Sequence, residues 1–426
     1  MRARLAIMMA LLYAVQGTWY PLLAVHLKDL GLSGEARGWI FATFAIGCFA
    51  APIGAGQLAD RLIPADRLMA IIYAIAAALL GLMASEWVAG AWPIFALFLV
   101  YWLVVAPASG LSNAIALRNL ARPREQFGGV RLWGTIGWMV AGWVVAQVMA
   151  MTGSDDGPRG ASEAFAVGAV AAMLFAFYCL LLPRTPPLAV GGRGLGWSEA
   201  ADDARLLVRR PIVALYLVTA FGVTLTIPYM FQVQPTYLEH IGLPRRWVAP
   251  AMTLGQVPEI AALWALPWMF RRLGDRGTLA LGILAWVVRY GVLMLDPPLW
   301  LAVAGIPLHG IGIGCFTVAG QMFLDSQAPP HRRAGAQGLH TVITAGFGAL
   351  LGNLLAGVVV GRSGDSAVVF IVPFAVNAVL LVAWAGLSRR AFQMGRAAPG
   401  ASTAPSPAGI AVPAVGPAPG SGGRTN

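Results

Sequence analysis

Charge is what this chain has least of. Only 11% of its 426 residues are Asp, Glu, Lys or Arg, against about 25% in soluble domains. Lysine occurs once, at Lys28, so nearly all the basic residues are arginines. Cysteine is scarce as well. Cys48, Cys179 and Cys315 fall inside apolar runs, which argues against a disulfide framework and against a metal site. The motifs of hydrolases are missing: there is no His-Glu-x-x-His, no Gly-x-Ser-x-Gly elbow and no pair of acids set for acid–base work. Gly352-x-x-x-x-Gly357 lacks the Lys-Ser/Thr of a P-loop, and Gly310-x-Gly312-x-Gly314 follows no strand. An enzyme is therefore not expected, nor a cofactor. Uphill work would have to draw on an ion gradient.

What the chain has is apolar length. Hydrophobic residues make up 58%, with 15 Trp, 51 Gly and 29 Pro, and the mean hydropathy is +0.72. Gly and Pro are commoner in membrane helices than in soluble ones. Twelve apolar segments are long enough to span a bilayer, at about 5–27, 37–59, 67–85, 92–117, 129–150, 163–182, 211–236, 247–270, 277–295, 299–324, 334–360 and 367–387. The fold class is an all-α membrane protein. The N-terminal run continues through Gln16 to Pro21, past the short apolar core of a cleaved signal.

The net charge of +11 does not indicate nucleic-acid binding, because the arginines form no continuous face. Topology accounts for them. With both termini cytoplasmic, 21 basic residues fall on the inner side, and only Lys28, Arg37, Arg159, Arg245, Arg246 and Arg362 on the outer. Arg131 and Arg289 lie within helices. The polar stretch 183–210 divides the chain into a six-helix bundle over 1–182 and another over 211–390, and residues 391–426 read as a disordered Ala/Pro/Gly-rich tail. The halves echo each other: Gly56, Asp60 and Arg61 close helix two, and Arg271, Arg272, Asp275 and Arg276 close helix eight. Duplicated six-helix halves around a midplane site describe a secondary transporter acting as a monomer.

One acid is stranded in lipid. Glu259 lies thirteen residues from both Arg246 and Arg272, about 20 Å at the helical rise. That is the middle of a hydrocarbon core about 30 Å thick. A carboxylate there should face a polar cavity or a partner. Pro258 and Pro267 free carbonyls in the same helix. Arg131, Thr135 and Trp138 share one face of helix five. Arg131 there either binds a ligand or snorkels to the interface. Arg289 is expected to partner a carboxylate such as Glu259. His309 is weighed as a proton relay against a simply hydrogen-bonded residue, and His340 is given the second role. Trp19, Trp138, Tyr229 and Phe316 are candidates for stacking on a planar ring. Gln16 and Asn113 either line the cavity or bridge helices.

Gly56-x-x-x-Asp60-Arg61 with Arg67 resembles the helix 2–3 signature of the major facilitator superfamily. Within it, Val130-Arg131-Leu132-Trp133-Gly134-Thr135-Ile136-Gly137, Gln256-x-x-Glu259, Ala285-Trp286-Val287-Val288-Arg289 and Arg333-Ala334-Gly335-Ala336-Gln337-Gly338 resemble the bacterial nucleoside–proton symporters. The resemblance implies two pseudo-symmetric six-helix bundles, an inner-membrane location, and a nucleoside and protons as partners. It implies substrate-pocket roles for Arg131, Thr135, Trp138, Gln256 and Glu259, with Glu259 as coupling acid. Where that family offers Gln and Asn on helix seven, this chain has Thr226 and Tyr229. Where it offers Tyr, Phe and Asp on helix ten, the aligned residues are His309, Ile313 and Gly314. Some of these features recur in proton symporters for sugars and aromatic acids, which form the alternative, and a non-transporting sensor or scaffold is a second.

Overall fold

The computed structural model describes residues 1–61, 63–85, 87–153, 159–186, 207–329 and 332–397, and side chains over 50–62 lie outside the described residues. The chain is helical throughout the described residues. Helices are α1 (Arg2–Asp29), α2 (Gly34–Arg61), α3 (Ala65–Ala84), α4 (Ala91–Asn119), α5 (Pro123–Thr152) and α6 (Arg159–Cys179) in the first half. The second half holds α7 (Pro211–His240), α8 and α9 within Arg245–Met294, α10 (Leu299–Gln327), α11 (Gly335–Ser363) and α12 (Ile371–Ala397). Helices α8 (245–273) and α9 (275–294) fold back at Gly274, whose φ of 64° is open only to glycine without strain. Among the described residues, ten helical stretches are long and apolar enough to cross a bilayer. One of them is this α8–α9 pair, and α2 adds another, giving the twelve spans of a major facilitator fold.

Several boundaries differ from the sequence reading, for local reasons. Helix α5 starts at Pro123, where the ring's fixed φ suits the first turn. Arg131 is thus two turns inside the helix, not near its start. Arg37, counted in an outer loop, lies inside α2 and is buried. Helix α12 runs to Ala397 rather than stopping before a tail at 391, because Ala391 is buried and Phe392 packs on Phe323 at 5.9 Å. Most of the 183–210 stretch and the chain after 397 lie outside the described residues.

Buried apolar side chains gather in two clusters, one from α1–α6 joined by Val248 and Ala249 of α8, and one from the second half. Each half also ties the start of its third helix to the chain in or just beyond its last helix. In the first half Asp66, beside Arg67, accepts the Thr185 N–H at 2.9 Å. In the second, Arg276 donates to Ser388 Oγ at 2.6 Å and Ala385 O at 2.7 Å. The side chains of Gly56, Asp60 and Arg61 lie outside the described residues. Arg67 is largely exposed, 3.8 Å from Asp66.

The halves meet at the end remote from the termini. Gly34 and Gly38 of α2 cross Gly357 and Gly361 of α11 at backbone contact, and a Cβ on Gly357 would stand 2.7 Å from Gly34 O and 2.8 Å from Gly38 Cα. This is small-xxx-small packing used between bundles. Ion pairs ring it. Lys28 reaches Asp365 at 3.0 Å, Arg37 approaches the same carboxylate at 3.6 Å, and Arg245 binds Asp29 at 2.7 Å and Glu239 at 2.7 Å. Thr236 Oγ1 donates to Asp365 at 2.7 Å. Arg37 makes no hydrogen bond through Nη1, so its approach to Asp365 is one of charge alone. These residues come from both halves, and together they clasp that end shut.

Candidate functional site

Helix α8 is interrupted at Leu254–Gly255 and restarts at Gln256, which puts Glu259 in the first turn of the new segment. Glu259 is half-buried. Helix α10 lies directly on this turn because Gly310 has no side chain. A Cβ there would fall 2.5 Å from Glu259 N and would also strike Gly255 O, and one on Gly314 would meet Ala262 Cβ at 2.8 Å. The glycine run thus serves close packing. Gly310→Ala should therefore push α10 off α8, with an overpacking cost of about 1–3 kcal/mol. Expected outcomes are a lower melting midpoint and loss of uptake, read by thermal unfolding and by radiolabelled uptake.

The charge that acts on Glu259 comes from the other half. It is Arg131 of α5, whose guanidinium lies 4.1 Å over the Tyr13 ring of α1. That cation–π contact holds the guanidinium against α1. Thr135 and Trp138 follow on the same side of α5, both half-buried. Gln256, with its amide turned to donate, bonds back to Met252 O at 3.1 Å and Thr253 O at 2.9 Å. Among the described residues no ion pair within bonding distance holds Glu259, so both charges keep free hydrogen-bonding capacity.

Trp138 belongs to a three-ring cluster that joins the halves. Tyr20 of α1 and Phe231 of α7 are 5.0 Å apart, and Trp138 stands 6.3 Å from Tyr20 and 6.2 Å from Phe231. All three are half-buried. Tyr13, Tyr20 and Phe231 escaped the sequence reading. The cause at Phe231 is a π-helical segment, Tyr229–Val233, after Pro228. It inserts an extra residue per turn and rotates the remainder of the helix. Two more π segments, Ile313–Val318 and Val342–Gly348, interrupt α10 and α11. No 3.6-residue pattern locates such insertions.

Several other candidates pack within a single bundle. Thr226 is buried, donates to Val223 O at 2.7 Å and accepts from Asn377 at 2.9 Å, inside the second bundle. Tyr229 is buried too, 6.5 Å from Tyr290. Ile313 is half-buried against the second core. Trp19 is core in the first half, stacked on Phe165 at 5.7 Å, and Phe316 packs on Tyr216 at 6.1 Å. Gln16 and Asn113 are half-buried. His340 bonds the Tyr216 hydroxyl at 3.0 Å, as a structural histidine does.

Arg289 does not partner Glu259. Only 1% exposed, it donates to Ile306 O at 3.0 Å and to Gln234 Oε1. The helices α7, α9 and α10 thus hold it with neutral acceptors, because Gln234 stands one π insertion away from where a straight helix would place it. His309 is enclosed beside it, stacked on Trp286 at 6.2 Å and pressed against Gly255, with Nδ1 unpartnered.

The site, then, joins a cation of one bundle whose charge acts on an acid of the other with an aromatic cluster shared by both, in a twelve-helix fold. The family described as "Nucleoside H+ symporter" matches residues 1–394. The chain belongs to that family. A relative, the putative nucleoside transporter YegT of Escherichia coli K12, is 31% identical over 369 residues, 84% of each chain. The nucleoside permease NupG of the same organism is 25% identical, covering 84% of this chain and 88% of its own. The crystal structure of a point mutant of the nucleoside transporter NupG superposes with a TM-score of 0.81 at 23% identity, over 91% of this chain and 99% of that one. This symporter is accordingly an integral membrane transporter and not an enzyme.

Proposed function

We propose that this symporter carries a nucleoside across the bacterial inner membrane with a proton, by alternating access, as a single chain that contains both halves. The observation that supports this best is Glu259, half-buried in the first turn after the α8 break and acted on by the charge of Arg131 from the other bundle. When Glu259 is charged, Arg131 holds it across the interface between halves. A proton removes that attraction and frees Arg131 to donate its fork of hydrogen bonds to the hydroxyls or carbonyls of the substrate. Thr135 and Gln256 flank the pair, and Trp138, Tyr20 and Phe231 offer faces for a planar base. His309, sealed behind Gly255, is assigned a supporting role in setting the α8 break. Gly56, Asp60, Arg61 and Arg67 are assigned to gating at the terminal end. The arginine bias places both termini in the cytoplasm. The clasp of Lys28, Arg37, Arg245 and Asp365 then closes the outer side, and the site communicates with the inner one.

Purified protein should unfold at higher temperature with nucleosides, and unlabelled nucleosides should compete with radiolabelled uptake in sealed vesicles. Maltose and phenylpropionate should do neither. Competition by a sugar or an aromatic acid alone would replace the substrate class, and no uptake of any of them would leave a sensor or scaffold.

A further inference from the structure

The lipid-facing flank of the first bundle carries a groove of about 660 Å³ between α1 and α5. Pockets that enclose a small organic ligand run about 300–1,000 Å³. Ala3, Ala6 and Ala10 recur along one side of α1, and with Gly129 of α5 they hollow the groove because none of them fills it. It does not open on the transport site. Trp133 lines it two residues after Arg131, which is about 200° around α5. Ile7 and Trp133 are 47% and 48% exposed on this flank, so the medium that meets the groove is the hydrocarbon of the bilayer.

The polarity changes at one end. Arg2 lies over Gly129, where a Cβ would stand 2.9 Å from its Nη2. Arg2 is exposed, and no ion pair holds it among the described residues. A guanidinium with free donors at the mouth of an apolar slot matches a phosphate attached to an acyl chain. Trp133 is the kind of amphipathic ring that settles at headgroup depth.

We propose that this groove seats one anionic phospholipid, with an acyl chain along Ala3, Ala6 and Ala10 and its phosphate against Arg2. A zwitterionic headgroup brings its own cation to Arg2 and fits less well. The occupied groove would brace α1 against α5, the two helices that hold Tyr13 and Arg131 in register.

The test uses the purified full chain with phosphatidylglycerol or phosphatidylcholine of identical acyl chains, and with sn-glycerol 3-phosphate. Retention is read by native mass spectrometry and stability by thermal unfolding. Phosphatidylglycerol should be retained about fivefold better than phosphatidylcholine, the factor expected of one cation at a membrane surface, and should raise the midpoint. Arg2→Gln should abolish the preference while leaving the lipid-free midpoint unchanged, since the side chain is exposed. Ala3→Leu, which fills the slot, should weaken retention of both lipids. Equal retention of the two lipids by the unaltered chain, or a preference that survives Arg2→Gln, overturns the proposal. An equal midpoint rise with sn-glycerol 3-phosphate makes it a phosphate site without a lipid chain. Full retention by Ala3→Leu removes the chain from the groove.

Discussion

Glu259→Gln will abolish proton-driven accumulation while leaving substrate binding in place. For one coupled proton, each unit of pH gradient supports about a tenfold substrate gradient, or about 1.4 kcal/mol. The amide has nearly the shape of the protonated acid but cannot exchange a proton. The variant should therefore equilibrate substrate to equal concentrations, however steep the imposed gradient, and should still exchange labelled for unlabelled substrate. Vesicle uptake under an inward pH gradient and counterflow in its absence separate the two properties. Glu259→Asp should retain part of the coupling, since the carboxyl group persists one methylene short of Arg131. If Glu259→Gln concentrates substrate as the parent does, coupling resides in another acid. Arg131 then has a purely substrate-directed role.

Asp365→Asn will unclasp the remote end. The carboxylate accepts from Thr236, pairs with Lys28 and feels Arg37. Its loss leaves the buried Arg37 uncompensated. Removing one member of a fully buried pair costs about 3–5 kcal/mol. Lys28 is 35% exposed, so solvent screening reduces this to on the order of 1–3 kcal/mol. As a bias between two states that is a shift of roughly 5- to 150-fold toward opening at this end. Spin labels on Ser33→Cys and Arg362→Cys, in a background with Cys48, Cys179 and Cys315 replaced by Ser, should move apart. Unchanged separation would mean that the glycine crossing of α2 and α11 holds this end without the charges.

The clasp also carries a pH dependence. Burial alone pushes the Asp365 carboxyl upward, but the Thr236 hydroxyl, Lys28 and Arg37 outweigh it and hold the group below its ordinary value of 3.8. A depressed carboxylate contributes fully above its ordinary value and loses its contribution as pH falls through the lowered one. The Asp365 part of the clasp should thus stay charged across the working range of a proton symporter and loosen only in strong acid. The label separation of the parent chain should be flat from neutral pH down to the ordinary carboxylate range. An opening near pH 6 would assign the pH response of this end to a different group.

Much of this architecture is legible in the residues alone. Lipid demands long apolar helices with satisfied backbones, so the spans, the two halves and the depth of Glu259 can be counted along the chain. Arg131, Thr135, Trp138 and Glu259 are singled out by the sequence because each lies in a segment that resembles one family, and their roles are proposals. Tertiary structure alone decided which charges meet. Arg131 rather than Arg289 is the charge that acts on Glu259, and Asp365 draws together Lys28, Arg37 and Thr236 from remote segments. It also brought Phe231, rather than Thr226 and Tyr229, onto the rings of the partner bundle. The physical reason is one of range. Hydropathy and helical rise act along a single segment, whereas the π insertions, the glycine crossings and the ion pairs depend on how separate helices pack.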